Sequence, residues 1–166
     1  MKIDVNGTNE KFAKAVNDAV KSAKTQAQSR AIRASNELRN SALRVLRGQR
    51  SGRVYKLPFS KKTYRASAPG EPPAVRSGRL RISWAARAIG KSDSEVIASI
   101  YTDVKYAPIL EEGYDGQVQK QKKLKQGGTK TISYHLTIKP RPFEQPIIDG
   151  AKDKVMAIFN EPYLNK

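Results

Sequence analysis

Apolar residues in the first third of the chain recur at mostly three and four positions. Phe12, Val16, Ala19 or Val20, Ala23, Ala27, Ala34, Leu38, Ala42 and Val45 make one stripe, which predicts a long helix over residues 8–47. Thr8 or Asn9 suits its N-cap, and Gly48 is a natural stop. The pattern leaves room for an interruption around Gln28 to Ser35. The stripe is mainly alanine in its first half and leucine and valine in its second. Alanine allows close approach but buries little area, so the first half suits packing on another subunit better than on its own core.

Beyond Gly48 the period changes. Val54, Tyr55, Leu57 and Phe59 surround Pro58, which removes a ladder donor, so residues 49–66 read as a short edge strand or an extended stretch. Pro69, Pro72 and Pro73 hold Ala68, Glu71 and Pro72 extended. With Gly70 they complete a stiff arm over residues 49–76. Ser77 then suits the N-cap of a short helix from Gly78 to about Trp84, with Leu80 and Trp84 as its apolar anchors four apart.

Residues 85–90 and 95–103 alternate and flank the polar turn Lys91-Ser92-Asp93-Ser94, which predicts a hairpin. Tyr106 to Tyr114 reads as a short helix or turn closing at Gly113. Residues 115–130 are polar, basic and rich in Gly and Gln, and read as a mobile loop. Residues 131–138 alternate as a strand. Ile147, Ile148, Ala151, Val155, Ile158 and Phe159 give a last helix, about 144–159, an apolar face. The order predicts a single α+β domain over 1–166: a long N-terminal helix, a small mainly antiparallel sheet, a short middle helix and a C-terminal helix on the sheet. No internal repeat is present.

Charge changes this picture most. The 166 residues hold 32 Lys and Arg against 15 Asp and Glu, a net +17. Between residues 11 and 70 the only acids are Asp18 and Glu37. Such density implies a polyanion or an acidic protein surface as neighbour, or a solvated face that keeps the chain in solution. Arg30, Arg33, Arg44 and Arg47 share one side of the first helix. Tyr55, Phe59 and Tyr64 lie among Arg53, Lys56, Lys61, Lys62 and Arg65. That is the nearest approach to a base-stacking platform, and equally an arm whose aromatics pack on another chain. A basic nucleic-acid-binding protein using residues 11–65 is therefore one functional reading.

Candidate chemistry is sparse. Glu111 and Glu112 are neighbours in sequence and do not converge on one substrate atom, so they make a poor acid/base dyad. His135 sits mid-strand opposite in face to Tyr134 and Leu136, and reads as solvent-facing. Lys125 to Lys130 is not a phosphate loop. With no cysteine and one histidine, disulfides, thiolate catalysis and a Cys/His metal site are excluded, and no cofactor cradle is present. The absence of cysteine fits assembly in a reducing cytosol. No apolar run approaches the ~20 residues that span a bilayer, and the first residues lack the apolar stretch of a secretory leader. The expectation is a protein that is not an enzyme and has no cofactor.

Three segments together resemble the tail-completion, or head-tail connector, proteins of tailed bacteriophages. Residues 67–84, with Pro69, Gly70, Pro72, Pro73, Ser77, Gly78, Arg79, Leu80 and Trp84, are similar to the family's proline-glycine stretch followed by Thr-Gly-Arg-Leu. Residues 106–114, with Tyr106, Ala107, Glu111 and Gly113, resemble its Tyr-Ala-x-x-x-Glu-aromatic-Gly segment. Arg141, Pro142 and Phe143 resemble its Arg-Pro-Phe lead into the last helix. Ser77 stands for the usual Thr, Glu112 for an aromatic and Tyr114 for a small residue. Glu144, Gln145 and Ile147 also depart from the family pattern.

The resemblance implies a homo-oligomeric ring, commonly a hexamer, in the virion neck at the head-proximal end of a tail. It would be assembled in the host cytoplasm. Its partners would be connector or adaptor proteins and the tail tube or terminator, with no membrane and no catalysis. The +17 charge would either offset acidic partner rings or face packaged DNA in the channel, and the sequence does not choose between these. The long helix, the arm 49–76 and the loop 115–130 would be its interface elements.

Overall fold

The computed structural model describes residues 5–90, 95–123 and 127–163. The fold is α+β, as the pattern predicts. Helix α1, Val5–Val45, is followed by strands β1, Val54–Lys56, and β2, Thr63–Arg65. Then come α2, Arg79–Ile82, β3, Ala85–Gly90, β4, Val96–Tyr101, and α3, Ala107–Glu112. Strands β5, Tyr114–Lys123, and β6, Thr129–Ile138, precede α4, Glu144–Phe159. Among the described residues the strands form three separate two-stranded antiparallel sheets, β1–β2, β3–β4 and β5–β6, rather than one small sheet. No helix among them is long and apolar enough to cross a membrane.

Helix α1 runs without a break through Gln28–Ser35 and starts before the expected caps, so Thr8 and Asn9 lie inside it. A capping residue inside a helix costs only about half a kcal/mol against alanine. At its other end, the Gly48 amide donates to the Val45 carbonyl, 3.3 Å away, and closes the last turn. Residues 9–22 are exposed all round, including the stripe residues Phe12, at 72%, Val16 and Val20.

The chain divides into two compact units. The first is Met1–Asn40, Ala85–Tyr101 and Ala151–Lys166. Apart from Arg30, its buried residues are small: Ala31, Ala34, Ser35 and Ala151. Their size lets α1 backbone approach the β3–β4 hairpin. The Ser35 hydroxyl lies 2.7 Å from the Ala31 carbonyl and 2.8 Å from that of Arg87 on β3. Lys154 on α4 reaches Glu37 on α1 at 3.3 Å. Hairpin β3–β4 pairs Ala85 with Tyr101 through Gly90 with Val96, as expected. Its expected turn at 91–94 lies outside the described residues.

The second unit is Ser41–Trp84 and Thr102–Gly150. Its core holds Ala42, Leu46, Leu80, Trp84, Val104, Ala107, Phe143 and Ile147. Trp84 and Phe143 meet edge to face, with ring centroids 6.0 Å apart. Such pairs contribute ~1 kcal/mol beyond the area they bury.

Three expectations are corrected in this unit. Residues 49–66 hold the short strand, one of the two expectations, but they are not an extended arm: β1 pairs with β2, and Tyr55 stacks on Tyr64 directly opposite at 5.7 Å. Strand β2 is three residues long among lysines, too short for a periodic signal. Pro58 sits in the connecting turn beside Phe59, which is left-handed (φ 58°) and fully exposed.

Helix α2 is shorter than expected, and its N-cap is Gly78 rather than Ser77. Gly78 is left-handed at φ 79°, a conformation that penalises a side chain at the cap, so Ser77 stands one residue outside. Its hydroxyl still accepts a long bond, 3.4 Å, from the Arg79 amide.

Residues 115–123 and 129–130 are not loop. They belong to a ten-residue ribbon whose register runs from Tyr114 opposite Ile138 to Lys123 opposite Thr129. The β5 side chains of its outer half, Gln119 to Lys123, are polar on both faces, which hides that strand from hydrophobic periodicity. Backbone pairing to the strongly alternating β6 supplies what side-chain pattern does not.

Candidate functional site

The three segments that carry the family resemblance are far apart in sequence, yet they are tied together in the second unit. The Arg141 guanidinium donates to the carbonyl and hydroxyl of Ser67 and to the Ala68 carbonyl. Its amide donates to the Leu110 carbonyl at 2.7 Å. The Gly70 amide donates to the Pro140 carbonyl at 3.1 Å. Strap, short helix and lead into α4 therefore share one hydrogen-bonded knot.

Glu111 and Glu71 are its acidic centres. The Glu111 carboxylate accepts from the Phe143 amide at 2.8 Å and from the Glu144 amide at 3.3 Å. It caps the first turn of α4, where unpaired amides and the helix dipole favour negative charge. Glu112, its neighbour, is exposed, so the pair forms no dyad.

Glu71 accepts from the Ala68 amide at 2.9 Å, from the Ser51 amide at 3.1 Å and from the Ser51 hydroxyl. These bonds to Ser51 and Ala68 hold its carboxyl down at about 2, and the nearby Arg50 charge adds to them. Arg50 itself donates to the carbonyls of Val45, at 2.7 Å, and Pro73, at 3.2 Å. Partial burial lowers its pKa, an effect the Glu71 charge opposes.

Gly113 ends α3 at φ 82° and ψ −177°, a region essentially closed to other residues. A Cβ there would also lie 2.7 Å from the Ile138 carbonyl oxygen.

The matched residues thus divide. Pro73, Leu80, Trp84, Ala107 and Phe143 are buried, Glu111 and Arg141 are spent on internal bonds, and Gly113 makes a left-handed turn against Ile138. They build the fold of this unit rather than a contact surface. Pro69, Gly70, Ser77, Arg79 and Tyr106 are exposed, while Pro72, Gly78 and Pro142 are half-buried. Beside the knot lies an open apolar groove of about 580 Å³, floored by Leu46, Leu80, Leu110 and Ile138 and edged by Arg76 and Arg79.

The basic residues divide as well. Arg30 is 3% exposed and is not a surface group. It donates to the carbonyls of Glu161 and Pro162, the latter at 2.7 Å, and stacks 3.8 Å over the Tyr163 ring. Arg33 makes a two-pronged pair with the Glu161 carboxylate. That bond lowers the pKa of Glu161 and raises that of Arg33. Arg44 donates to the Gly150 carbonyl and Arg65 to that of Gly52, both at 3.2 Å. Arg53 leans over Tyr55. Arg47, Lys56, Lys61 and Lys62 are exposed. The proposed basic surface is thus partly consumed by internal carbonyls and by Glu161, a partner over one hundred residues away.

His135 is exposed, as alternation predicts, and is 2.6 Å from Asp115 across the ribbon. Thr137 also donates to Asp115, at 3.0 Å. Among the described residues no group of acids and histidine could hold a metal ion.

Residue typing gave most of β6 but missed its partner β5, although a signal was present: Gln117, Gln119 and Gln121 repeat at period two. The chain matches no protein-family model, and no curated protein and no solved structure matches it.

Proposed function

We propose that this chain is a structural virion subunit without catalytic activity. It assembles with copies of itself into a ring at the head-proximal end of a phage tail and joins the tail to the head connector. The observation that carries the reading is the uncovered stripe Phe12, Val16 and Val20 on a helix whose first half touches little of its own chain. A long isolated helix gains most of its stability from tertiary packing, and a second copy supplies that packing. A closing ring uses heterologous contacts, in which one face of a subunit meets a different face of the next. The three-segment resemblance supports the choice of a neck ring over other assemblies. The exposed Phe59 turn offers a second apolar anchor.

Electron microscopy of the purified protein, and of particles made with and without it, tests the reading. Rings in the first preparation, and tails that form but do not join heads in the absence of the protein, are expected. A strictly monomeric protein that is absent from virions overturns it. Nucleic-acid binding through residues 11–65 is the weaker reading, because Arg30, Arg33, Arg44 and Arg65 have internal partners.

A further inference from the structure

We propose that the outer half of the β5–β6 ribbon is a sequence-independent contact for double-stranded DNA. The register puts Lys122 directly opposite Lys130, with Lys120 opposite Ile132 on the same face. Lys123, opposite Thr129, adds a charge on the other face. Like charges directly opposite in a ladder are destabilising, and no Asp or Glu lies anywhere between Asp115 and Glu144 to relieve them. All four lysines are exposed. A polyanion removes this repulsion.

The rest of the outer half favours phosphate over an acidic protein. The face that carries Lys123 continues with Gln121, Thr131, Gln119 and Ser133, all neutral hydrogen-bonding groups. Lysine, glutamine, serine and threonine are the side chains that contact phosphate and sugar. Protein interface cores are instead depleted in lysine and enriched in aromatics. The apolar residues of the ribbon, Val118, Tyr134, Leu136 and Ile138, lie toward its base and Ile132 between. A two-stranded ribbon is also of a width that the ~12 Å major groove admits. The five paired residues of the outer half, Gln119 to Lys123 against Thr129 to Ser133, extend roughly 16 Å, enough to follow several base pairs.

The experiment compares two variants of equal charge loss in the full chain. One replaces Lys120, Lys122, Lys123 and Lys130 by Gln. The other replaces Lys11, Lys14, Lys61 and Lys62 by Gln, all within the segment 11–65. Binding of a fluorescein-labelled duplex of mixed sequence is followed by anisotropy over a salt series. The ribbon variant is expected to lose about tenfold or more in affinity at low salt, with the log–log salt slope falling by about 0.9 for each phosphate contact removed. The control variant is expected to change by less than about threefold, and a Lys→Arg version of the ribbon variant to bind as the parent does.

Equal losses in the two Gln variants, no duplex binding by the parent at low salt, or competition by poly-glutamate as effective as by duplex would each overturn the proposal. Because the readout is DNA affinity, it is independent of ring formation: a protein that binds through the ribbon but forms no ring refutes only the assembly reading.

Discussion

The carboxylate of Glu111 accepts the amide of Phe143 at 2.8 Å, so the end of α3 caps the start of α4 across a sequence separation of thirty-two. Side-chain caps contribute about 1 kcal/mol. Glu111→Ala is expected to destabilise the protein by about 1 to 2 kcal/mol, read from urea unfolding, because the Phe143 amide bond it removes is part-buried. Glu112→Ala, on an exposed side chain, is expected to change stability by less than about 0.5 kcal/mol. Equal effects would show that the cap is not what holds the two segments.

Glu71 gives stability a pH dependence of definite sign. Its folded-state pKa, about 2, lies below the ordinary value of 4.5. The folded state therefore binds its proton less readily than the unfolded state. Its contribution is fully present above pH 4.5 and is lost as pH falls from there toward 2. Glu71→Gln removes that contribution at neutral pH. Melting temperatures measured from pH 6 to pH 2 are expected to start lower for the variant and to converge with those of the parent at the acid end. Parallel curves would contradict the assignment.

Arg30 holds the segment after α4 through two carbonyls and a ring face. Arg30→Ala is expected to loosen residues 161–163, seen as faster amide exchange there with α1 protection retained. Arg30→Lys restores the charge but not the planar fork, and is expected to rescue little. Unchanged exchange in the alanine variant would show that the segment is held by other contacts.

Gly113 tests the join between α3 and β5. Its positive φ and the nearby Ile138 carbonyl leave no place for a methyl group. Gly113→Ala is expected to cost roughly 2 kcal/mol or more in thermal or urea unfolding. A neutral effect would mean that the turn can be rebuilt.

The stripe on α1 separates assembly from folding. Val16→Glu and Val20→Glu together place charge on an exposed face. They are expected to leave the circular dichroism and the melting of the monomer nearly unchanged and to abolish the oligomer in light scattering. Retention of the oligomer would assign the ring contact elsewhere.

Helix α1, hairpin β3–β4, strand β6 and α4 are legible in the sequence because each buries, or offers to bury, a periodic face. The ribbon strand β5 is not, because its outer half has no apolar face and is specified by the backbone of β6. Nor can residue type distinguish Arg30 from Arg47. Both are arginines that the sequence pattern puts on one side of the first helix, but Arg47 lies beyond the end of α1 and only the return of residues 161–163 turns Arg30 inward.

The sequence alone determined the α+β class, the positive charge, the lack of a thiol or Cys/His metal site and the positions of the stiff strap and the glycine stops. These follow from local conformational preference and side-chain chemistry. The tertiary structure alone decided that residues 67–70, α3 and the lead into α4 form one knot, that about half of the basic surface is spent internally, and that residues 115–123 and 129–130 of the apparent loop belong to a ribbon with lysines in its outer half. Each depends on which distant carbonyl or carboxylate satisfies a given donor, and that choice is made by packing rather than by neighbours in the chain.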